Sequence, residues 1–424
     1  MNKNIMIIAD EKKFSMDCYA TKRNNNVVVV GASGTGKTTG IVEPNIKQAI
    51  GSYIITDPKG NLHNKYADYL KRNGYNVMTL DLADPNGDVR YNFIDYIKSE
   101  HDVIKLAHIL ITGAGDQPYS DQNAFFYRMG ELLLASKLAT LKYIESFYED
   151  ANSVKTLQHL FNGCRSYINQ NCCSSDKKND NDEKKEVADE DKDNEWYQLS
   201  EKLECMVGEM PIETGTCVLA TIASVLGTLN TIGVESMMKS EKKPIDFKEM
   251  GLKKTALFVK VSDSDRSMDT LVNVFFTQAM SELCFYADTE CQNNMLPVPV
   301  RFIMDDFATN CTINDFPRMI SSIRSRNISA MLLIQAESQL EQRYEKEYTT
   351  VLSNCDTYVY MGGNDLQTAK RVAERADVPY KKILNMPIST CWVFRRGDEP
   401  EFCSIYREIG AIKQKPKTKR KLYA

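Results

Sequence analysis

Gly31-Ala32-Ser33-Gly34-Thr35-Gly36-Lys37-Thr38 decides the fold of this chain, because of what stands on either side of it. The four residues before it, Val27 to Val30, are all valine and read as a strand buried on both faces. The residues after it, Thr38 to Ile50, read as a helix. Strand, glycine-rich turn and helix in that order make a phosphate-binding loop. Glycine frees the backbone N–H groups to point at phosphate oxygens, Lys37 reaches the β and γ oxygens, and the Thr38 hydroxyl takes Mg²⁺. The start of the helix adds its positive dipole end. A Gly/Ser turn matching by chance would lack the strand before and the helix after. The expected nucleotide contacts are therefore Gly31, Ser33, Gly34, Thr35, Gly36, Lys37, Thr38 and Thr39, with ATP and Mg²⁺ as the cofactors.

Strands and helices alternate beyond the loop. Ser52 to Asp57 reads as a second strand, Asn61 to Arg72 as a helix and Asn76 to Leu80 as a third strand. The alternation resumes with a strand at Thr255 to Val261 and a helix from about Ser267 to Tyr286. Apolar strands follow at Pro299 to Asp305, Ser329 to Gln335 and Thr357 to Met361. Short apolar runs joined by helical crossovers predict an α/β fold, a parallel sheet with helices on both faces. Trp392 to Arg396 and Phe402 to Tyr406 read as a terminal pair at the sheet edge.

Residues 101–240 have a different character. Asn123 to Tyr148 carries Phe125, Phe126, Met129, Leu132, Leu133, Leu138 and Leu141 at helical spacing. Val154 to Ile168, Trp196 to Val207 and Glu213 to Met238 read as further helices. This predicts an all-α domain inserted between two parts of the nucleotide-binding domain, 1–100 and 241–412. Within the insertion, 174–194 is charged and nearly free of apolar residues, so it reads as a disordered acidic loop; an acidic recognition element is the alternative. The tail, 413–424, is basic, suited to phosphate backbones or anionic lipid headgroups, or simply a solvated end.

Composition narrows the class without naming it. At 424 residues the chain has room for two or three folding units, and 26% charged residues is ordinary for a globular protein. The net charge of −4 hides an uneven distribution: Asp176 to Glu195 holds ten acids against five lysines, leaving the remainder close to neutral. Charge alone does not announce nucleic-acid binding. Twelve cysteines without a C-x-x-C pair, and the scattered His63, His101, His108 and His159, read as reduced thiols with no zinc site. No signal peptide is expected. The longest apolar stretch, Cys217 to Val234, is interrupted by Thr, Ser, Asn and Gly, so no membrane span is expected.

A phosphate-binding loop alone covers kinases, GTPases, transporters and motors. The narrowing feature is Val298 to Met304, an apolar strand that runs into Asp305-Asp306. Asp305 at the strand tip is placed to hold the Mg²⁺ water shell, and Asp306 stands where a hydrolytic motor keeps the carboxylate that activates water. Ser329 to Gln335 places an amide at the carboxyl end of another strand, where ligands of open parallel sheets sit, so Gln335 is a candidate γ-phosphate sensor or a capping glutamine. Arg324 and Arg326 lie just before that strand. They either favour the negative pole of a helix or reach a neighbouring subunit's nucleotide.

With these residues assembled, the chain resembles the coupling ATPases of type IV secretion and conjugation, particularly the branch found in Gram-positive mobile elements. The matching segments are Gly31 to Thr38, Thr56-Asp57-Pro58-Lys59-Gly60, Lys254 to Val259, Leu296 to Val300, Ile323 to Ser329, Gln335 to Leu340, Ser353-Asn354-Cys355-Asp356 and Gly362-Gly363. The resemblance implies a RecA-like motor domain, an inserted all-α domain that selects cargo, and a hexamer around DNA. It assigns phosphate and metal binding to Lys37 and Thr38, the metal acid to Asp305, the base to Asp306, the sensor to Gln335, and the trans-acting arginine to Arg324, with Arg326 as the fallback.

The function it implies is an ATPase that recruits relaxase-bound single-stranded transfer DNA to a type IV secretion channel and pumps it. An ATP-gated receptor with little hydrolysis, or a related ring translocase, are the alternatives. Family members normally carry Glu where this chain has Asp306, one methylene shorter, so slow or ligand-gated turnover is expected. They also open with membrane-spanning helices, whereas this sequence begins almost at the motor. The expected location is the cytoplasm or the inner face of the cell membrane, with anchoring through a partner or the basic tail.

Overall fold

The computed structural model describes residues 4–407 except 85–86, 114–122, 148–153, 173–192, 263–264 and 311–312. The basic tail and all but the last two residues of the acidic stretch 174–194 lie outside the described residues. Of those two, Asn194 accepts from the Trp196 and Tyr197 N–H groups and so caps the helix that follows.

Eleven strands are described. A short antiparallel hairpin, β1 (Ile5–Ile7) and β2 (Lys13–Ser15), precedes the main sheet. The main sheet contains β3 (Val27–Val30), β4 (Ser52–Thr56), β5 (Asn76–Asp81), β6 (Thr255–Lys260), β7 (Val300–Met304), β8 (Ile328–Ile334), β9 (Thr357–Tyr360), β10 (Thr390–Arg395) and β11 (Glu401–Ser404). Its order is β11-β10-β9-β3-β8-β7-β4-β6-β5. The strands from β9 to β5 along that order run parallel; β10 and β11 pair antiparallel at the edge. β3, β4, β7 and β8 are buried at every position, as strands covered on both faces must be. Two apolar clusters fill the two faces: Val28 and Val30 join one, Val27 and Val29 the other.

The helix expected at Thr38 to Ile50 forms differently. Thr38–Val42 is a π-helical turn, in which the Glu43 N–H reaches the Thr38 carbonyl, and Glu43–Lys47 is a single α turn. Pro44 has no N–H to continue an α ladder, which displaces the register. Ala49 and Gly51, both at positive φ, end the segment before β4. Asn45 then ties this segment to the hairpin: its side-chain amide accepts from the Ile7 N–H at 3.0 Å and donates to the Ile7 carbonyl at 2.7 Å.

α1 (Asn61–Arg72) joins β4 to β5. Between β5 and β6 the described residues include α2 (Glu100–Thr112), α3 (Ala124–Glu145), α4 (Leu157–Asn171), α5 (Glu195–Val207), α6 (Ile212–Leu229) and α7 (Ile232–Lys239), followed by a short helix at Phe247–Leu252 that leads into β6. The single helix expected at Glu213 to Met238 is thus two. Asn230 leaves helical geometry, and Thr231 caps α7 by accepting from the Val234 N–H. Among the described residues α6 is long and apolar enough to cross a membrane, by length and composition only, which the expectation of no such stretch did not foresee. It packs against α3 and α4.

The incoming and outgoing chains of this insertion run side by side. The Arg90 N–H donates to the Lys243 carbonyl at 2.9 Å, and the Ile245 N–H donates to the Arg90 carbonyl at 3.2 Å. Beside this join, Asp95 accepts from Arg90 at 2.6 Å and from Lys155 at 2.5 Å, and Lys155 also reaches Glu145 at 2.8 Å. After β6, α8 (Asp269–Glu290) crosses one face of the sheet and returns the chain to β7.

Candidate functional site

β3 delivers the chain into the glycine-rich loop, and the Gly31 N–H extends the ladder by donating to the Ile334 carbonyl at 3.0 Å. Gly34 and Gly36 stand at φ 79° and 91°, where a Cβ is strongly disfavoured, so the turn depends on glycine at both. On the loop's flank the Ala32 N–H donates to the Gly362 carbonyl at 2.9 Å, which fixes the loop to the end of β9. Lys37 is buried and curls over its own loop, its Nζ donating to the Gly31 carbonyl at 2.6 Å and the Ala32 carbonyl at 3.3 Å. Burial pulls its ammonium below the usual lysine range, while Asp306 and Asp305 oppose that shift.

β7 ends at Met304 and presents Asp305 and Asp306 beside the loop. Thr38 Oγ1 donates to Asp305 Oδ2 at 3.3 Å. Burial pushes the Asp305 carboxyl above its ordinary range, the Asp306 charge adds to this, and Lys37 works against it. The Asp306 N–H donates to Asp305 Oδ1 at 3.1 Å. Gln335, just past the tip of β8, donates from Nε2 to Asp306 Oδ1 at 3.2 Å, and its own N–H is held by Gln339 Oε1 at 3.0 Å. Asp306 has φ 49°, a left-handed backbone that Asp tolerates through local hydrogen bonding better than Glu does. The shorter acid suits that backbone.

These side chains face one open cavity of about 550 Å³, within the range of small-ligand sites. Its outer wall is Glu43, which accepts from Lys65 Nζ at 2.6 Å and from the Tyr66 hydroxyl at 2.9 Å. The Thr38 hydroxyl and the Asp305 carboxylate are hard oxygen donors beside open space for water and phosphate, the surroundings Mg²⁺ takes. Among the described residues no group of three or more His, Cys, Asp or Glu could hold a metal by itself. A second cavity, of about 620 Å³, lies under the β9–β10 edge; its Arg371, Arg375 and Arg396 are paired with Glu341, Glu337 and Asp356, and it lacks the loop.

Lys37, Thr38, Asp305, Asp306 and Gln335 thus come together, and Arg324 does not. Arg324 sits in the turn before β8, at the opposite end of that strand from Gln335. Seven strand residues put it roughly 20 Å from its own sensor position. Arg326 is engaged in a bidentate pair with Asp288, at 2.8 and 2.6 Å, whereas exposed Arg324, among the described residues, meets only a carbonyl, that of Cys18, at 3.5 Å. The sequence did not single out Thr56, Gln339 or Gly362 as parts of the site, although all three lie in segments that carried the resemblance.

A phosphate-gripping loop at the carboxyl ends of a mostly parallel sheet, with a helical insertion between β5 and β6, defines a P-loop ATPase fold. The sequence profile of the family described as type IV secretory system conjugative DNA transfer matches residues 2–376, and the chain belongs to that family. No curated protein matches it in sequence. Among solved structures it is similar to the bacterial conjugative coupling protein TrwB lacking 70 N-terminal residues, unbound, at 14% identity and a TM-score of 0.65, over 94% of this chain and 88% of that one. A TrwB complex with ADP and Mg²⁺ aligns with 14% identity and a TM-score of 0.62, over 90% and 85%. VirB4 of Thermoanaerobacter pseudethanolicus aligns over 96% of this chain and 97% of its own, with 11% identity and a TM-score of 0.59. At these identities the likeness is one of fold.

Proposed function

We propose that this chain is an ATP-driven coupling protein, of the branch found in Gram-positive mobile elements, that recruits relaxase-bound single-stranded transfer DNA to a type IV secretion channel and helps pump it. The observation that carries the reading is the convergence of Lys37, Thr38, Asp305, Asp306 and Gln335 on one cavity. In this reading the loop amides and Lys37 bind the β and γ phosphates, and Thr38 and Asp305 hold Mg²⁺, which offsets phosphate charge. Asp306 orients and deprotonates the attacking water, and Gln335 exchanges its bond to Asp306 for one to the γ-phosphate. Arg324 acts on a neighbouring subunit's nucleotide, since roughly 20 Å of strand separates it from its own site. That asks for a ring, and we assign a hexamer. The helical insertion carries cargo recognition, and the chain works in the cytoplasm or at the inner face of the membrane through a partner.

The test is ATP turnover and DNA binding by the purified chain. The reading expects turnover that single-stranded DNA raises; a protein that neither hydrolyses ATP nor binds single-stranded DNA overturns it.

One observation favours a second reading, an ATP-gated receptor with little hydrolysis: the short Asp306 is already bonded to Gln335. Asp306→Glu separates the two. The motor reading expects a rise in turnover of about 10- to 100-fold as the carboxylate reaches further, with a stability loss of about 1 kcal/mol from the left-handed backbone. Turnover that stays low in the Glu variant, with ATP-dependent cargo binding retained, supports the receptor.

A further inference from the structure

β4 and β7 pair in parallel as far as Ile55 opposite Ile303, and then part. β4 turns toward β6, where the Asp57 N–H donates to the Val259 carbonyl at 2.9 Å. β7 runs on to Asp305, whose N–H has just lost its neighbouring strand. The Thr56 hydroxyl takes over there. The Asp305 N–H donates to Thr56 Oγ1 at 2.6 Å, and the same hydroxyl donates to the Asp305 carbonyl at 3.4 Å. Only a group that both accepts and donates can meet both peptide groups of one residue. Thr56 is buried at the inner lining of the nucleotide cavity. The clamped residue is the one whose carboxylate meets the Thr38 hydroxyl.

We propose that Thr56 is a positioning residue: its hydroxyl holds the Asp305 backbone and thereby aims the Asp305 carboxylate at the divalent cation that accompanies the nucleotide. The assignment rests on the nucleotide site argued above, and concerns what holds the metal acid in place. Partners that orient a metal ligand without touching the metal are worth about 10- to 100-fold in metal affinity. Thr56→Val keeps the shape of the side chain and removes both hydrogen bonds; Thr56→Ser keeps the hydroxyl.

The experiment measures the affinity of a non-hydrolysable ATP analogue in Mg²⁺ and in EDTA, and the Mg²⁺ concentration at half-effect, for wild type and both variants. Thr56→Val is expected to shift the Mg²⁺ half-effect upward about tenfold or more, leave affinity in EDTA unchanged, and be rescued by Thr56→Ser. A wild-type Mg²⁺ response in Thr56→Val, or equal losses with and without Mg²⁺, overturns the assignment while leaving the nucleotide site standing. A wild-type chain that binds no analogue overturns the nucleotide site and this assignment with it. If Thr56→Val does not fold, Thr56→Ala, which also removes the hydroxyl, is held to the same outcomes.

Discussion

Arg324→Ala is expected to lower ATP turnover about a thousandfold, the scale on which a guanidinium aimed at the transferred phosphoryl group acts. Nucleotide affinity of the isolated chain should barely change, because the residue lies at the far end of β8 from its own loop. The decisive measurement mixes Arg324→Ala with Lys37→Ala subunits. Each homogeneous assembly has every site damaged. A mixed ring contains sites whose loop comes from the Arg324→Ala subunit and whose arginine comes from the Lys37→Ala subunit, so turnover should partly return. Absence of complementation in rings shown to be mixed would place the arginine's role elsewhere. Arg326→Ala serves as the contrast. Its pair with Asp288 is a local tie between the turn before β8 and α8, so its loss should cost stability, not turnover.

Lys37→Ala is the second large effect. Lys37 is buried, and its only described hydrogen bonds are to carbonyls of its own loop, Gly31 and Ala32. That arrangement leaves a desolvated cation waiting for anionic oxygens, with Asp305 and Asp306 helping to keep it charged. Removing it takes away charge that strengthens as the leaving phosphate develops its own, a loss on the order of 10² to 10³ in turnover. Triphosphate affinity should fall as well, and more than diphosphate affinity, because the side chain addresses the β and γ oxygens. Turnover equal to wild type would remove the motor reading. Folding should survive the change, since no other element depends on the Lys37 side chain for a described hydrogen bond.

Much of this architecture is written locally. A run of four valines, glycines where the backbone must turn left-handed, and apolar strands that stop at Asp57, Asp305 and Gln335 are enough to place a phosphate site at one end of a parallel sheet. Where the sequence reading slipped, the deciding residue acted over a turn or two: Pro44 converts an expected helix into a π turn and a short α turn, and Thr231 starts a new helix inside an expected continuous one. The residues alone left Arg324 and Arg326 open, and only the resemblance favoured Arg324; the tie that engages Arg326 was hidden because its partner, Asp288, is 38 residues away in sequence. The hydroxyl of Thr56 was similarly hidden. Its partner, Asp305, is 249 residues distant, and nothing about a threonine at a strand end marks it until the two strands are seen to diverge there.

The paired chains at Arg90 and residues 243–245 carry one more consequence. Because the two ends of the helical insertion meet side by side, its length is decoupled from strand registration. A graft that keeps the Asp95–Lys155 pair and the packing of α2 on α8 could replace the rest of the segment between these two positions and leave the order of the nine strands untouched. Evolution has the same freedom: helices far from the join can be rewritten wholesale while the sheet and its loop stay fixed.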